Sequence, residues 1–529
     1  MSIFDTKAAP TDEKLRGGYY TPAPIAEFVA AWVAQAGSRI LEPSCGDGNI
    51  LEPLSRLSDE VQGIELFPDE ASSAQTRTGA NVEIADFFDW FDPSRHGTFD
   101  GTAGNPPFIR FGNWAEPTRS NALDLMRSVG MRPNKLTNAW VPFVVASVLA
   151  CRQGGRIGLV IPAELMQVGY AAGLREFLVD NCTDVNVVTF KRLVFPGILQ
   201  EVVLLLSVKG EGPARIQVIE VDDATSLTGL EIGTAPVRAP LHEREKWTKY
   251  FLAPAEVKAV RSLRSDKRLH AMEHFASVDV GVVTGRNSFF VMSPEDAEEH
   301  RVSNLTIPLV ARSAQLSGIV YTDDDHQEAT GRTALLDARG VTLSRHRGLR
   351  EYVALGEEQK VHTGYKCRIR KQWWVVPSIW EADAFMFRQI HTHPRVVANK
   401  TTATCTDTVH RMRLSDGVSG PHLATAAFNS ITFAMSEIVG RSYGGGILEL
   451  EPSEAEELRV PDPALVPTDL IDKVDELVRA KRIDDALDAV DQVVLIDGLG
   501  FTPEEVASAR AAWVTLRDRR NGRARGKAA

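Results

Sequence analysis

The stretch TAGNPPFIRFGN, residues 102–113, follows a short apolar run and sets an amide, two prolines and an aromatic ring in a row. Proline has no N–H and a fixed φ, so Pro106 and Pro107 keep this loop out of the preceding sheet and hold its carbonyls in one direction. The Asn105 side-chain oxygen and the Pro106 carbonyl then form two acceptors at a set separation, with Phe108 as a flat face beside them. Acceptors on both N–H bonds of an exocyclic aromatic amine favour a pyramidal nitrogen whose lone pair is free for alkylation. No acidic nucleophile or strong base is demanded when the alkyl donor is already activated, as a sulfonium is.

A second constellation lies upstream. ILEPSCGDGNIL, residues 40–51, reads as a strand, a glycine turn and the start of a helix. Gly46 and Gly48 allow close backbone approach to a ligand, and a new helix offers free N–H groups. The next strand ends in Glu65, about 20 residues on, where an acid in a dinucleotide-type fold accepts from ribose hydroxyls. The third ends in ADFFDW, where Asp86 can accept from an adenine amino group and Phe87 can pack on the ring. Signals at three successive strand ends point to an adenosine-bearing ligand at the carboxyl edge of a sheet, against the alternative that Glu65 and Asp86 are solvated strand ends. Thr21, in RGGYYTPAPIAEF, reads either as a ligand contact or as the N-cap of the helix that follows, with Pro22 at its first position.

These side chains require a scaffold that aligns strand ends. From Arg39 to about Lys209 short apolar runs alternate with helical stretches, the pattern of a doubly wound α/β sheet. The last two runs, DVNVVTF and EVVLLLSVKG, are separated only by a short loop, which predicts an antiparallel hairpin at the sheet edge. Residues 211–461 break into short strands, basic loops and Trp-rich pieces and read as a mixed α+β domain. Residues 462–529 return to helix: Leu470, Val474, Leu477 and Val478 share a face, and Thr502, Pro503 and Glu505 open a second helix with a capping box. From Arg517 the chain reads as a disordered basic tail. The predicted organisation is thus 1–210, 211–461 and 462–529.

Composition narrows the class. No window reaches the roughly 18–20 apolar residues of a membrane span. The N-terminus lacks a basic region followed by an apolar run, so a cytoplasmic protein is expected. Five scattered cysteines show no ligand spacing, and no metal site is expected. A net charge of −11 argues against a polyanion partner, yet residues 341–413 hold 13 Lys and Arg against 6 Asp and Glu. Phosphate binding depends on such local patches. Lys366, Arg368, Arg370 and Lys371 beside Trp373 and Trp374, and then Arg395, Lys400, Arg411 and Arg413, suit contact with a nucleic-acid backbone and wedging between bases.

In order and type, YYTPAPIAEF, LEPSCGDGNIL, GIEL, ADFF, GNPPF, GRIGLVIPAEL and LVFPG resemble the gamma-class, TaqI-type N6-adenine DNA methyltransferases of restriction-modification systems, strongly over residues 16–210 and weakly at VVTGRN, residues 282–287. The resemblance implies the methyltransferase version of the doubly wound fold, followed by a target-recognition domain. It implies S-adenosylmethionine as cofactor, contacted by Thr21, Glu42, Gly46, Glu65, Asp86 and Phe87. Asn105, Pro106 and Phe108 would hold a flipped-out adenine of double-stranded DNA, and Phe195, which by itself reads as core, would stack behind it. It further implies a monomer acting beside a separately encoded restriction endonuclease. The family often has Tyr where this chain has Phe108, which keeps the stacking face, and some relatives carry an aromatic residue at the place of Leu159.

Rival readings are a DNA cytosine-N4 methyltransferase, whose loop more often begins with Ser; a protein-glutamine methyltransferase, which would lack the basic domain; a fused methylase and endonuclease using Asp337 with Glu358 and Lys360; and a non-catalytic DNA-binding module.

Overall fold

The computed structural model describes residues 20–195, 201–238, 245–443 and 446–525. The chain forms two compact units, one running to Phe251 and the other comprising Leu252–Ser442 and Ile447–Asn521.

The first unit is a mixed eight-stranded sheet. Strands β1 (Arg39–Glu42), β2 (Glu60–Glu65), β3 (Asn81–Ile84), β4 (Phe99–Gly104) and β5 (Cys151–Pro162) are parallel, in the order β3-β2-β1-β4-β5. Helices α1 (Ala23–Ala34), α2 (Leu51–Leu57), α3 (Pro68–Thr78), α4 (Phe87–Trp90), α5 (Thr118–Ser128), α6 (Trp140–Ala150) and α7 (Ala172–Asn181) flank it. Both faces are covered, so successive strand residues serve different cores. Ile40 packs with Val29 and Leu54, whereas Leu41 packs with Phe87 and Phe143. Likewise Val160 and Leu204 lie on one face and Leu159 and Leu205 on the other. Near-continuous apolar runs are the mark of strands buried on both sides.

The hairpin forms, with a correction to its place. Strands β6 (Cys182–Phe190) and β7 (Val202–Lys209) are antiparallel neighbours, but β7 inserts between β5 and β6. An eighth strand, β8 (Arg215–Val221), pairs parallel to β6 and is the edge. Of its seven residues, RIQVIEV, only Ile216, Gln217 and Val221 are buried, as suits a strand with one side open. The sheet therefore continues past residue 210, and Trp247 and Tyr250 complete its core.

The second unit is mixed, as its short runs imply. A five-stranded sheet takes Ala276–Val280, Val409–Leu414, Ala384–Phe387, Val396–Asn399 and Val320–Tyr321 in that order, beside a four-stranded sheet built on Thr306–Val310. The C-terminal helices belong to this unit. On the helix Thr468–Arg479, Asp475 accepts from the N–H groups of Ile319 (2.7 Å) and Val320 (3.0 Å), and Arg479 pairs with Asp325 at 2.5 Å. The capping box forms: Glu505 accepts from the Thr502 N–H at 2.8 Å, and the Glu505 N–H donates to the Thr502 hydroxyl at 3.2 Å. The tail predicted to be disordered from Arg517 is helical through Arg525. Arg520 is buried there against Glu437 at 2.7 Å, an order that local composition does not report.

Candidate active site

The parallel strands deliver their carboxyl ends to one cleft of about 380 Å³. Glu42 ends β1 and Glu65 ends β2, while Asp86 follows β3 and Asn105 follows β4; all four line it. This is the crevice at which open α/β sheets hold ligands.

Between β1 and α2, Gly46 has φ +53° and Gly48 has φ +94°, the left-handed region open to glycine. A Cβ on Gly46 would meet nothing within 4 Å, so its backbone is bare to the cleft; one on Gly48 would press on Ala74 at 3.2 Å. Glu65 braces this turn. Its Oε2 accepts from the Gly46 N–H and its Oε1 from the Phe67 N–H, both at 2.9 Å. Burial raises the Glu65 carboxyl above its usual range despite these bonds.

Glu42 is 2% exposed, and its Oε2 has no hydrogen-bond partner among the described residues. Burial, reinforced by the negative charges of Glu65 and Asp47, pushes its carboxyl well above the usual range. A buried acid with an open oxygen fits a ligand that brings a donor or a positive charge. The other wall is aromatic: Phe87 stacks on Phe143 at 5.1 Å and on Phe91 at 5.4 Å. Asp86 caps α4 by accepting from the Phe88 N–H at 2.9 Å, and its second oxygen accepts from the Thr118 hydroxyl. Together the acids, bare glycine backbone and aromatic wall match what a nucleoside with a cationic tail requires.

Asn105 links this cleft to the NPPF loop. Its Nδ2 donates to the Thr21 hydroxyl at 3.1 Å, and the Ser44 hydroxyl donates to its carbonyl at 3.5 Å. Thr21 is 6% exposed and lines the cleft, and the helix it precedes starts at Ala23 with no side-chain cap. The N-cap alternative for Thr21 is therefore set aside: its hydroxyl accepts from the Asn105 amide. Pro106 is buried and Phe108 half-buried; Phe108 packs on both cores of the sheet. Phe195 is 4% exposed, within the same core cluster that Phe108 touches, and does not line the cleft.

The basic candidates of the second unit divide. Lys366, Arg368, Lys371 and Lys400 are exposed. Arg370 donates to the carbonyls of Val283 (3.0 Å) and Thr284 (2.8 Å), and Arg395 to those of Leu316 (3.0 Å) and Ser317 (3.2 Å). Burial lowers the Arg395 guanidinium to about 10. Arg411 is buried against Asp279 and Trp380. Trp373 is 9% exposed and packs on Phe289, which corrects its reading as a wedge. Asp337 is held by Arg339 at 2.7 Å. Among the described residues no three His, Cys, Asp or Glu side chains gather as a metal site would require, and no helix is long and apolar enough to cross a membrane.

Sequence reasoning missed Thr118, Trp114 and Phe143, all of which line the cleft. Phe143 sits in a helix that is apolar all round, where nothing marks one residue as facing a ligand. Thr118 and Trp114 lie in a loop-to-helix segment without periodicity.

The chain matches two families: Eco57I restriction-modification methylase over residues 52–195, and the C-terminal domain of type II methyltransferase M.Eco57I over residues 244–495. It is 23% identical over 466 residues to type II methyltransferase M.XamI of Xanthomonas campestris pv. amaranthicola, covering 84% of this chain and 85% of that one. It is 18% identical over 512 residues to type II methyltransferase M.AccI of Acinetobacter calcoaceticus, covering 90% and 92%. M.HindII of Haemophilus influenzae matches at 24% over 326 residues, 58% of this chain and 60% of that one. With both parts of the Eco57I methylase arrangement present in order, and type II methyltransferases aligned along most of its length, this chain belongs to the restriction-modification methyltransferases.

Proposed function

We propose that this methyltransferase, whose family modifies DNA in restriction-modification, transfers a methyl group from S-adenosylmethionine to the N6 amine of a flipped-out adenine in duplex DNA. The observation that carries the reading is Asn105, held by Thr21 at the end of β4 on the rim of an acidic and aromatic cleft. When bound, S-adenosylmethionine supplies a methyl group on a sulfonium, with the thioether as leaving group.

The protein's part is placement. Glu42 offers an open, buried oxygen to the cationic end of the cofactor. Glu65 and Asp86 each retain a second lone pair on oxygens that already hold backbone or hydroxyl groups, for ribose hydroxyls and the adenine amine respectively. Gly46 gives backbone approach, and Phe87 gives a face. With its Nδ2 turned to Thr21, Asn105 presents its oxygen end to the target amine. That oxygen and the Pro106 carbonyl accept the two N–H bonds and steer the nitrogen lone pair. The extra proton leaves the methylated nitrogen for solvent once the bond has formed. Phe108 offers its face to the flipped base, with the buried Phe195 behind it in the same core cluster, and the exposed Lys366, Arg368, Lys371 and Lys400 meet phosphates. The domains follow from this division: a catalytic unit, then a recognition unit that includes the C-terminal helices. We place the protein as the protective methylase beside a separately encoded endonuclease, acting as a monomer in the cytoplasm.

The test is incubation with tritiated S-adenosylmethionine and unmodified duplex DNA, followed by digestion to nucleosides. Label is expected in N6-methyladenine; label in N4-methylcytosine, or in protein instead of DNA, would refute the assignment.

A further inference from the structure

The second unit carries an exposed apolar pair inside its most basic stretch. The one-turn helix Tyr365–Arg368 is anchored by Cys367, fully buried in the core with Phe289 and Leu349. Tyr365 and Ile369 face outward instead, 66% and 60% exposed. They are four residues apart, and the Ile369 N–H donates to the Tyr365 carbonyl at 3.3 Å, so one helical turn aligns them. Lys366, Arg368 and Lys371 around them are exposed, and none has a carboxylate partner among the described residues.

This turn is fastened to a second one. Arg370 reaches back to the carbonyls of Val283 and Thr284. Gly285 has φ +85°, and a Cβ there would lie 2.8 Å from the Lys366 Cβ, so the two turns approach at a place that favours glycine. The Arg286 N–H donates to the Thr284 hydroxyl at 3.1 Å, and that hydroxyl donates to the Asn287 side-chain oxygen at 2.5 Å. Val283 is exposed on this turn, and so is Arg286, again with no carboxylate partner among the described residues.

Three exposed apolar side chains on two mutually braced turns, among four cations with no carboxylate partner among the described residues, form one surface. Its charge is opposite to that of the chain as a whole, which at −11 repels a polyanion elsewhere. We infer that Tyr365 and Ile369 are a rigid prong that packs on the bases and sugars of a DNA duplex while Lys366, Arg368, Lys371 and Arg286 hold the phosphates on either side. This deepens the reading of DNA as substrate and rests on it. It also replaces the wedge that the sequence placed at Trp373.

The test uses the full chain, tritiated S-adenosylmethionine and a linear plasmid from a methylase-deficient host. The double variant Tyr365→Ala/Ile369→Ala is expected to raise KM for DNA about tenfold or more, with KM for S-adenosylmethionine and Tm unchanged. Lys366→Gln/Arg368→Gln is expected to reduce the slope of log affinity against log salt by about 2, and the apolar variant to leave that slope alone. A DNA KM within twofold of the parent, with the parent active on the plasmid, overturns the prong and spares the methylase reading. A fall in Tm of the apolar variant makes the pair structural and also overturns it, as does loss of self-association with DNA kinetics intact. A parent protein that labels no DNA fails the underlying reading itself.

Discussion

In the first unit Glu42 and Glu65 are buried side by side at a cleft, and burial lifts both carboxyl groups above their ordinary range. In the second, Arg395, Arg411 and Arg520 are withdrawn from solvent too, but each is committed to internal partners: carbonyls for Arg395, Asp279 for Arg411 and Glu437 for Arg520. Burial with an open valence prepares a group for a ligand, because the ligand repays a desolvation already incurred. Burial with the terminal guanidinium nitrogens engaged, as in all three arginines, fixes the fold. The same charge count can therefore signal a site in one unit and scaffolding in the other, and hydrogen-bond partners decide which.

The contrast can be broken in several places. The largest effect is expected at Asn105→Ala, with a fall in kcat of about 10²–10³-fold while cofactor binding, measured by calorimetry, persists; full activity would remove the loop from the chemistry. Thr21→Val should lower kcat about tenfold by freeing the Asn105 amide, and Thr21→Ser should restore it. If serine fails to rescue, the Thr21 hydroxyl is not what holds the amide.

In the second unit, Arg395→Gln should lower Tm without a separate change in the salt dependence of DNA binding, whereas Lys371→Gln and Lys400→Gln should leave Tm alone and each reduce the salt slope by about 1. The opposite pattern would mean that burial does not separate scaffold from interface.

The smallest effect, and the most diagnostic for the cleft, is Glu42→Gln. A carboxyl whose folded pKa is raised contributes stability below its unfolded pKa and loses it as pH rises through the folded value, so the free protein carries Glu42 at a cost near neutrality. The amide should raise the Tm of the free protein by about 2–4 °C at neutral pH while weakening S-adenosylmethionine binding. The gain should shrink on acidification; a lowered Tm would show that the ionised group is satisfied without ligand.

Much of the cleft was legible because its parts lie at the ends of parallel strands. Glu42, Glu65, Asp86 and Asn105 each sit at or just after an apolar run, and parallel pairing brings such ends to one edge whatever the intervening helices contain. Thr118 and Phe143 were not legible, since their approach to Asp86 and Phe87 depends on how α5 and α6 pack and not on any local pattern. The edge strand β8 escaped because it lies beyond the hairpin that seemed to close the sheet.

By itself the sequence determined the alternation of strands and helices, the acids at strand ends, the rigid NPPF loop and the capping box at Thr502, all of which are set by near neighbours in the chain. Only the tertiary structure decided which side chains are already spent. It turned Arg370 and Arg395 inward, buried Trp373, left Tyr365 and Ile369 outside and gave the Thr21 hydroxyl to Asn105. A residue's type states what bonds it can make, but whether a bond remains to be made depends on partners brought from distant parts of the chain.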